Sequence, residues 1–133
     1  GVPLVYSGQE LPNKKRLAFF EKDEIGWNGQ IALHDFYKTL LNFRKRNKAM
    51  QDGASVLILN TGHKDVLAYL CRKENDKVLV LLNFGQQKAS FEIDDPTTAG
   101  NYMDLFSEEM LSLKQSQSYS LNPREFKVYY FGE

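Results

Sequence analysis

Cysteine is nearly missing from this chain: Cys71 stands alone. No intrachain disulfide can form, and the redox compartment is left open. Net charge is missing too, since 17 basic residues balance 17 acidic ones. No sign dominates, which argues against a dedicated nucleic-acid or membrane-surface protein. No apolar run reaches the length of a membrane span, and no signal-peptide pattern is present. For a chain read as the tail of a longer protein, that second absence says nothing of export. There is no glycine-rich phosphate loop, no internal repeat and no low-complexity tract. His34 and His63 are the only histidines, and neither sits in a metal-ligand constellation. What remains is 133 residues, 42% of them apolar, enough for one packed domain or a domain plus a fragment of another.

The chain reads in three segments. Residues 2–7, Val-Pro-Leu-Val-Tyr-Ser, form a short apolar run that suits a strand of a parallel sheet covered on both faces. No second βα unit follows, so the front is expected to be the end of a larger sheet. A loop from Gln9 to about Gln30 comes next, long for a βα connection. It carries Lys14, Lys15, Arg16, Glu21, Lys22, Asp23 and Glu24 among Phe19, Phe20, Ile25 and Trp27. Ile31 to about Asn47 is predicted helical. Leu33, Phe36, Tyr37, Leu40 and Leu41 make one apolar stripe, and Arg44, Lys45 and Arg46 complement the helix dipole in the last turn. Gln51-Asp52-Gly53 ends the element and marks the boundary, giving residues 1–51 and 52–133 as two parts.

From Ser55 the period changes to that of strands. Val56–Asn60, Val66–Arg72, Val78–Phe84, Ala89–Ile93, Tyr102–Phe106, Met110–Leu113 and Glu125–Phe131 are predicted, separated by turn signals such as Thr61-Gly62-His63 and Asp94-Asp95-Pro96. Short strands at this spacing indicate an antiparallel sandwich or barrel, and the fold expected is mainly β, an antiparallel β-sandwich of Greek-key type behind a βα fragment.

This order of pieces resembles a known family. Gly1-Val2-Pro3-Leu4-Val5-Tyr6-Ser7-Gly8-Gln9-Glu10 is similar to the G-x-P-L-I-Y-x-G-Q-E segment of the α-amylase family of glycoside hydrolases. Lys15-Arg16-Leu17-Ala18-Phe19-Phe20, Lys22-Asp23 and Trp27 look like the loop that follows, and Leu33 to Asn47 is similar to the eighth helix. Val66-Leu67-Ala68-Tyr69 and Val78 to Phe84 resemble central strands of the family's C-terminal β domain. Tyr102-Met103-Asp104-Leu105-Phe106 resembles its Y-x-D-L-F strand, and Leu121-x-Pro123 with Val128-Tyr129 its closing strand. The resemblance implies that residues 1–51 are the last βα unit of a (β/α)₈ barrel and that 52–133 are the C-terminal β domain. The parent enzyme would then cleave α-1,4-glucosidic bonds in starch, glycogen or maltodextrins with retention.

Glycoside hydrolysis needs two carboxyl groups flanking the scissile bond. The resemblance implies that they, and a third after strand seven, lie before Gly1, so no catalytic residue is expected in this chain and it is expected to be inactive alone. Gln9, Glu10 and Arg16 are the candidates for the substrate cleft. Gln9 and Glu10 either shape the cleft edge at the C-terminal end of a barrel strand or brace the loop and neighbouring strands. Arg16 either reaches the rim or pairs with a loop carboxylate. Glu21, Asp23 and Glu24, mixed with lysines and arginine, read as a solvated loop. Trp27 reads as packing onto the helix, and Cys71 as a small buried hydrophobe. No metal or cofactor is expected here, although the parent's family implies calcium held elsewhere.

The expected role is structural: the strand closes the barrel, the helix covers it, and the β domain caps one side. The partners implied are the rest of the barrel and, through the parent, an α-glucan, with neither nucleic acid nor membrane. Self-association through the exposed barrel segment is a further expectation. The alternative is a non-catalytic carbohydrate-binding module for α-glucans, which predicts a row of exposed aromatics on one sheet face.

Overall fold

The computed structural model describes residues 2–11, 14–18, 20–27, 29 and 31–131. The expected loop residue Phe19 and the loop end Gln30 lie outside them. Two compact units are present, Gly1–Phe43 and Arg44–Glu133. The division falls inside a helix, ahead of the Gln51-Asp52-Gly53 turn that the sequence suggests as the boundary.

In the first unit, the strand expected at residues 2–7 does not form. Residues 2–6 have no ladder partner among the described residues, and Val2 and Leu4 are 80% and 85% exposed. The barrel fragment expected there is therefore not evident. The reason is physical: a parallel strand takes its hydrogen bonds from neighbours on either side, and apolar side chains alone cannot hold the extended form. The helix does form. α1 spans His34–Arg46, with Asp35 in its first turn and Arg44, Lys45 and Arg46 in its last. Its hydrogen bonding starts at Leu33, whose carbonyl accepts from the Tyr37 N–H at 3.0 Å. Leu33, Phe36, Tyr37 and Leu40 are half-buried as the stripe requires, and Phe43 is fully buried. Trp27, expected against the helix, is instead 56% exposed.

In the second unit, α1 gives way at Asn47, which turns extended (φ −95°, ψ 122°). Its side-chain oxygen accepts from the Ala49 N–H at 3.0 Å and caps a 3₁₀ turn, Lys48–Met50. Among the described residues eight strands follow: β1 Ser55–Leu59, β2 Val66–Lys73, β3 Asp76–Asn83, β4 Ala89–Asp94, β5 Gly100–Asp104, β6 Met110–Leu113, β7 Ser116–Leu121 and β8 Phe126–Phe131. The large sheet has the order β1-β2-β3-β8-β5-β6, and β4 pairs with β7 in a second sheet. Every pairing is antiparallel. After β5 and β6 the chain crosses to the small sheet in β7, and β8 returns to the large sheet between β3 and β5.

The core lies between the sheets. Leu70, Leu79 and Leu81 from the large sheet meet Phe91, Ile93 and Leu121 from the small one. In β4, Ala89, Phe91 and Ile93 are buried while Ser90, Glu92 and Asp94 are exposed, the period of two that a half-buried strand needs. Phe91 stacks on Tyr119 across the β4–β7 pair with ring centroids 5.6 Å apart. β7 is the strand that the sequence does not announce. Its Ser-Gln-Ser-Tyr-Ser-Leu has low β propensity on the solvent side, and of its inward residues Gln117, Tyr119 and Leu121 only the last two join the apolar core.

Two buried polar residues hold the loops. Asn83, at the end of β3, donates from Nδ2 to the carbonyls of Gln87 (2.9 Å), Asn122 (2.8 Å) and Leu121 (3.4 Å). Its Oδ1 accepts from the Gly85 N–H at 2.9 Å. Asp104 accepts from the N–H groups of Phe106 (2.9 Å) and Ser107 (3.1 Å) and pairs with Lys127. The Tyr-x-Asp-Leu-Phe run thus has a mechanical reading: Tyr102 and Leu105 are buried, and Asp104 closes the turn between β5 and β6.

Candidate functional site

The turn that follows the unformed strand is well specified. The Gln9 N–H donates to the Tyr6 carbonyl, and the Gln9 side-chain oxygen accepts from the Tyr6 N–H, both at 3.0 Å. Gly8 has φ +79°, and a Cβ placed on it would sit 2.7 Å from Ile25 Cγ2. Only glycine fits, because the following loop folds back onto the turn at that point. The loop is closed by a Lys15–Asp23 ion pair, and the other Asp23 oxygen accepts from the Ala18 N–H at 3.0 Å. These donors, Lys15 first, hold the Asp23 carboxyl below its ordinary range.

Turn and loop enclose a shallow, open cavity of about 320 Å³, lined by Tyr6, Ser7, Gly8, Gln9, Lys15 and Leu17. Of the three residues that the sequence suggests, Gln9 lines it. Glu10 is half-buried beside it, and its carbonyl accepts from the Leu33 N–H at 3.0 Å. Arg16 is exposed and its chain neighbours, Lys15 and Leu17, take the lining positions. Lys15 is the lining residue that sequence reasoning passed over, since a lysine in a mixed-charge loop carries no distinguishing signal.

A general acid for glycoside hydrolysis needs a raised carboxyl pKa. Asp23, Glu74 and Asp95 are instead pulled down, by Lys15, by Lys48 and by the Thr97 hydroxyl and N–H respectively. Among the described residues no group of three or more His, Cys, Asp and Glu side chains converges as a metal site. No helix among them is long and apolar enough to cross a membrane. Cys71 is buried as expected, and burial raises its thiol pKa, which suppresses the thiolate. His63 lies in a turn as expected, its Nδ1 accepting from the Asp65 N–H at 3.2 Å.

The β unit offers two outward faces of opposite character. On the small sheet, Ser90, Glu92, Asp94, Ser116, Ser118 and Ser120 all point to solvent. That face has no aromatic residue on which a sugar ring would stack. On the large sheet, an apolar row crosses the outer face, which also carries Lys73, Asp76, Asn101 and Ser112. Strand register places Val56, Cys71, Val78, Tyr130, Met103 and Met110 in one row across all six strands. Beside it run Ile58, Tyr69, Val80 and Val128. The middle of this face is buried, with the Lys48–Met50 turn packed on β2 and β3. Its flanks are open: Met110 is 68% exposed, Val56 61% and Ile58 63%. Phe106 and Phe126 pair edge-to-face at 5.3 Å at another margin.

The model of the family described as "Maltogenic Amylase, C-terminal domain" matches residues 56–128 of this chain. The chain belongs to that family. The match covers β1 almost to the end of β8, so the maltogenic-amylase C-terminal domain is the sandwich itself. Alpha-amylase MalA of Haloarcula japonica is 30% identical over 106 residues, 75% of this chain and 14% of its own length. Alpha-amylase 2 of Dictyoglomus thermophilum is 26% identical over 118 residues, 80% of this chain and 19% of its own length. The fold is shared with the noncanonic maltogenic alpha-amylase AmyB of Thermotoga neapolitana, with a TM-score of 0.79 at 22% identity, covering 98% of this chain and 33% of that one. This chain thus spans a fifth or less of the curated relatives it matches. It is the C-terminal domain of an α-amylase-family glycoside hydrolase, as its sequence resemblance implies. In its relatives such a domain is one part of a larger amylase.

Proposed function

We propose that this chain is the structural end of an α-amylase-type enzyme whose remaining part carries the catalytic carboxylates and cleaves α-1,4-glucosidic bonds with retention. In that reading residues 2–7 gain their strand partners from a barrel and close it, with α1 covering the closure. The sandwich caps one side through the outer face of its large sheet. The observation that carries the reading is the apolar row from Val56 to Met110, buried in the middle and open at its flanks. Exposed apolar side chains at both margins of a face whose middle this chain already covers support contact with further protein there. The polar, aromatic-free outer face of the small sheet supports a solvent-facing role there and speaks against a carbohydrate-binding module on that side. The cavity at Tyr6, Gln9 and Lys15 is proposed as part of the cleft margin in the assembled enzyme, with Glu10 and Arg16 flanking it.

The test is titration of this chain with maltoheptaose by calorimetry, paired with a reducing-sugar assay. Neither heat of binding nor new reducing ends is expected. Binding without cleavage would favour a carbohydrate-binding module, and cleavage would place catalytic carboxylates inside the chain.

A further inference from the structure

We propose that β1 is a pairing edge for a second copy of this chain, joining two large sheets into one across a two-fold axis. β1 ends the large sheet. It pairs with β2 through Ser55 to Leu59 without a bulge, and its other edge has no ladder partner among the described residues. Such an edge presents a row of unpaired N–H and C=O groups that template another strand. Folded proteins defend these edges with lysine, proline, bulges or brevity. β1 has none of these defences. From Gly53 to Gly62 the chain reads Gly-Ala-Ser-Val-Leu-Ile-Leu-Asn-Thr-Gly, with neither charge nor proline. The opposite edge, β6, is four residues long and flanked by Glu108, Glu109 and Lys114. The small sheet carries Glu92 and Asp94 on β4 and a serine-rich β7.

The strand is also complementary to itself. In an antiparallel pair centred on Leu57, each Leu57 faces its own copy and Val56 faces the second copy's Ile58. That arrangement makes two β-branched pairs, the kind that stabilises a ladder. No charge meets a like charge, and balanced totals of 17 and 17 put no long-range repulsion between the copies. Val56 and Ile58, both mostly exposed, lie on the outer face and continue its apolar row into the partner sheet. The two short strands bury little area, so the association is weak and reversible, below the roughly 1,200 Å² of a stable complex.

The experiment is sedimentation equilibrium of the whole chain from about 10 μM to about 1 mM, the range in which so small an interface fills. The mass is expected to rise with concentration toward twice the 15.3 kDa of one chain. The double variant Val56→Lys, Ile58→Lys puts charges on two exposed positions and is expected to stay monomeric with an unchanged far-UV spectrum. A second variant reads the register. In a Cys71→Ala background, Leu57→Cys is expected to cross-link with itself under mild oxidation, because opposed residues lie about 4.5–5.5 Å apart between Cα atoms, within disulfide reach. Val56→Cys, which faces position 58, is expected to cross-link far less. A monomer throughout the range, a dimer that survives the lysines, growth beyond the dimer, or equal cross-linking at 56 and 57 would each overturn the proposal.

Discussion

Replacing Asn83 by alanine should be among the most damaging single changes available in the sandwich. The side chain joins three places that are far apart in sequence: the end of β3, the 83–87 turn into β4, and the β7–β8 connection at Leu121 and Asn122. Asn83 is itself buried, so water cannot simply take its place. Alanine removes two good donations, one longer one and one acceptance. Leaving buried backbone groups unpaired costs about 1–3 kcal/mol each. Allowing some to find water, the total should be about 3–5 kcal/mol. For a unit of this size that lowers the thermal midpoint by roughly 15–25 °C. Urea unfolding followed by far-UV circular dichroism measures it. Fluorescence of Trp27 would report on the other unit, since the only tryptophan lies there. Asn83→Asp sharpens the test, because a carboxylate would face the carbonyls of Gln87 and Asn122 where the amide donated. Its folded pKa should rise above the unfolded value, so the aspartate variant is nearer to the parent chain at low pH and loses stability as pH rises through that folded pKa. A loss under about 1 kcal/mol for alanine, or an aspartate variant insensitive to pH between 4 and 7, would refute the assignment of Asn83 as the tie between these loops.

Gly8→Ala should loosen the Tyr6–Gln9 turn, since its Cβ would press on Ile25 at 2.7 Å in a backbone conformation that alanine disfavours. Limited proteolysis should then cut within residues 6–25 faster, while the β unit unfolds at the same urea concentration. Tyr102→Phe should leave stability unchanged or raise it by up to about 1 kcal/mol, because the Tyr102 hydroxyl is buried without a hydrogen-bond partner among the described residues. A clear loss would show that this hydroxyl is paired in solution. Burial, aided by Asp104 and Glu125, pushes the Tyr129 phenol up to about 12. Its folded pKa thus exceeds the unfolded value of about 10, so its contribution is complete below pH 10 and is lost as pH climbs toward 12. Denaturation curves at pH 9 and 11 should show that fall, and Tyr129→Phe should lessen it, the remainder coming from Tyr69, Tyr102 and Tyr119, whose phenols burial also raises.

Most of the sandwich was legible because its strands obey one rule. Each of β2, β3, β4 and β8 is a short apolar segment bounded by turn signals, β4 alternating apolar residues inward and β2, β3 and β8 carrying them on both faces, so their positions follow from the pattern alone. β7 was missed because Ser116, Ser118 and Ser120 face solvent, and two inward apolar residues are too few to outweigh the turn-like composition. The front segment failed for the opposite reason. Val2, Leu4 and Val5 read as a buried strand, yet a strand is a relation between segments, and no described residue supplies the other half. Gln9 was suggested as a cleft candidate only through the family resemblance, and it lines the cavity at the turn. Lys15 was not legible at all, because its place beside the cavity comes from the Asp23 ion pair that folds the loop. The apolar row on the large sheet's outer face was likewise invisible, since it exists only once register aligns residues from six strands.

The central claim is that this outer face is covered by the rest of a larger amylase. Met110→Lys tests it most directly, because Met110 is largely exposed at the flank of the row in this chain. Thermal unfolding should be compared for the substitution in the isolated chain and in the full-length enzyme that contains it. In the isolated chain the change should stay within about 0.5 kcal/mol, as for other surface positions. In the full-length enzyme a charge buried at an apolar contact should cost about 2–4 kcal/mol and lower the midpoint by several degrees. Equal, small effects in both would contradict the account and leave the outer face facing solvent.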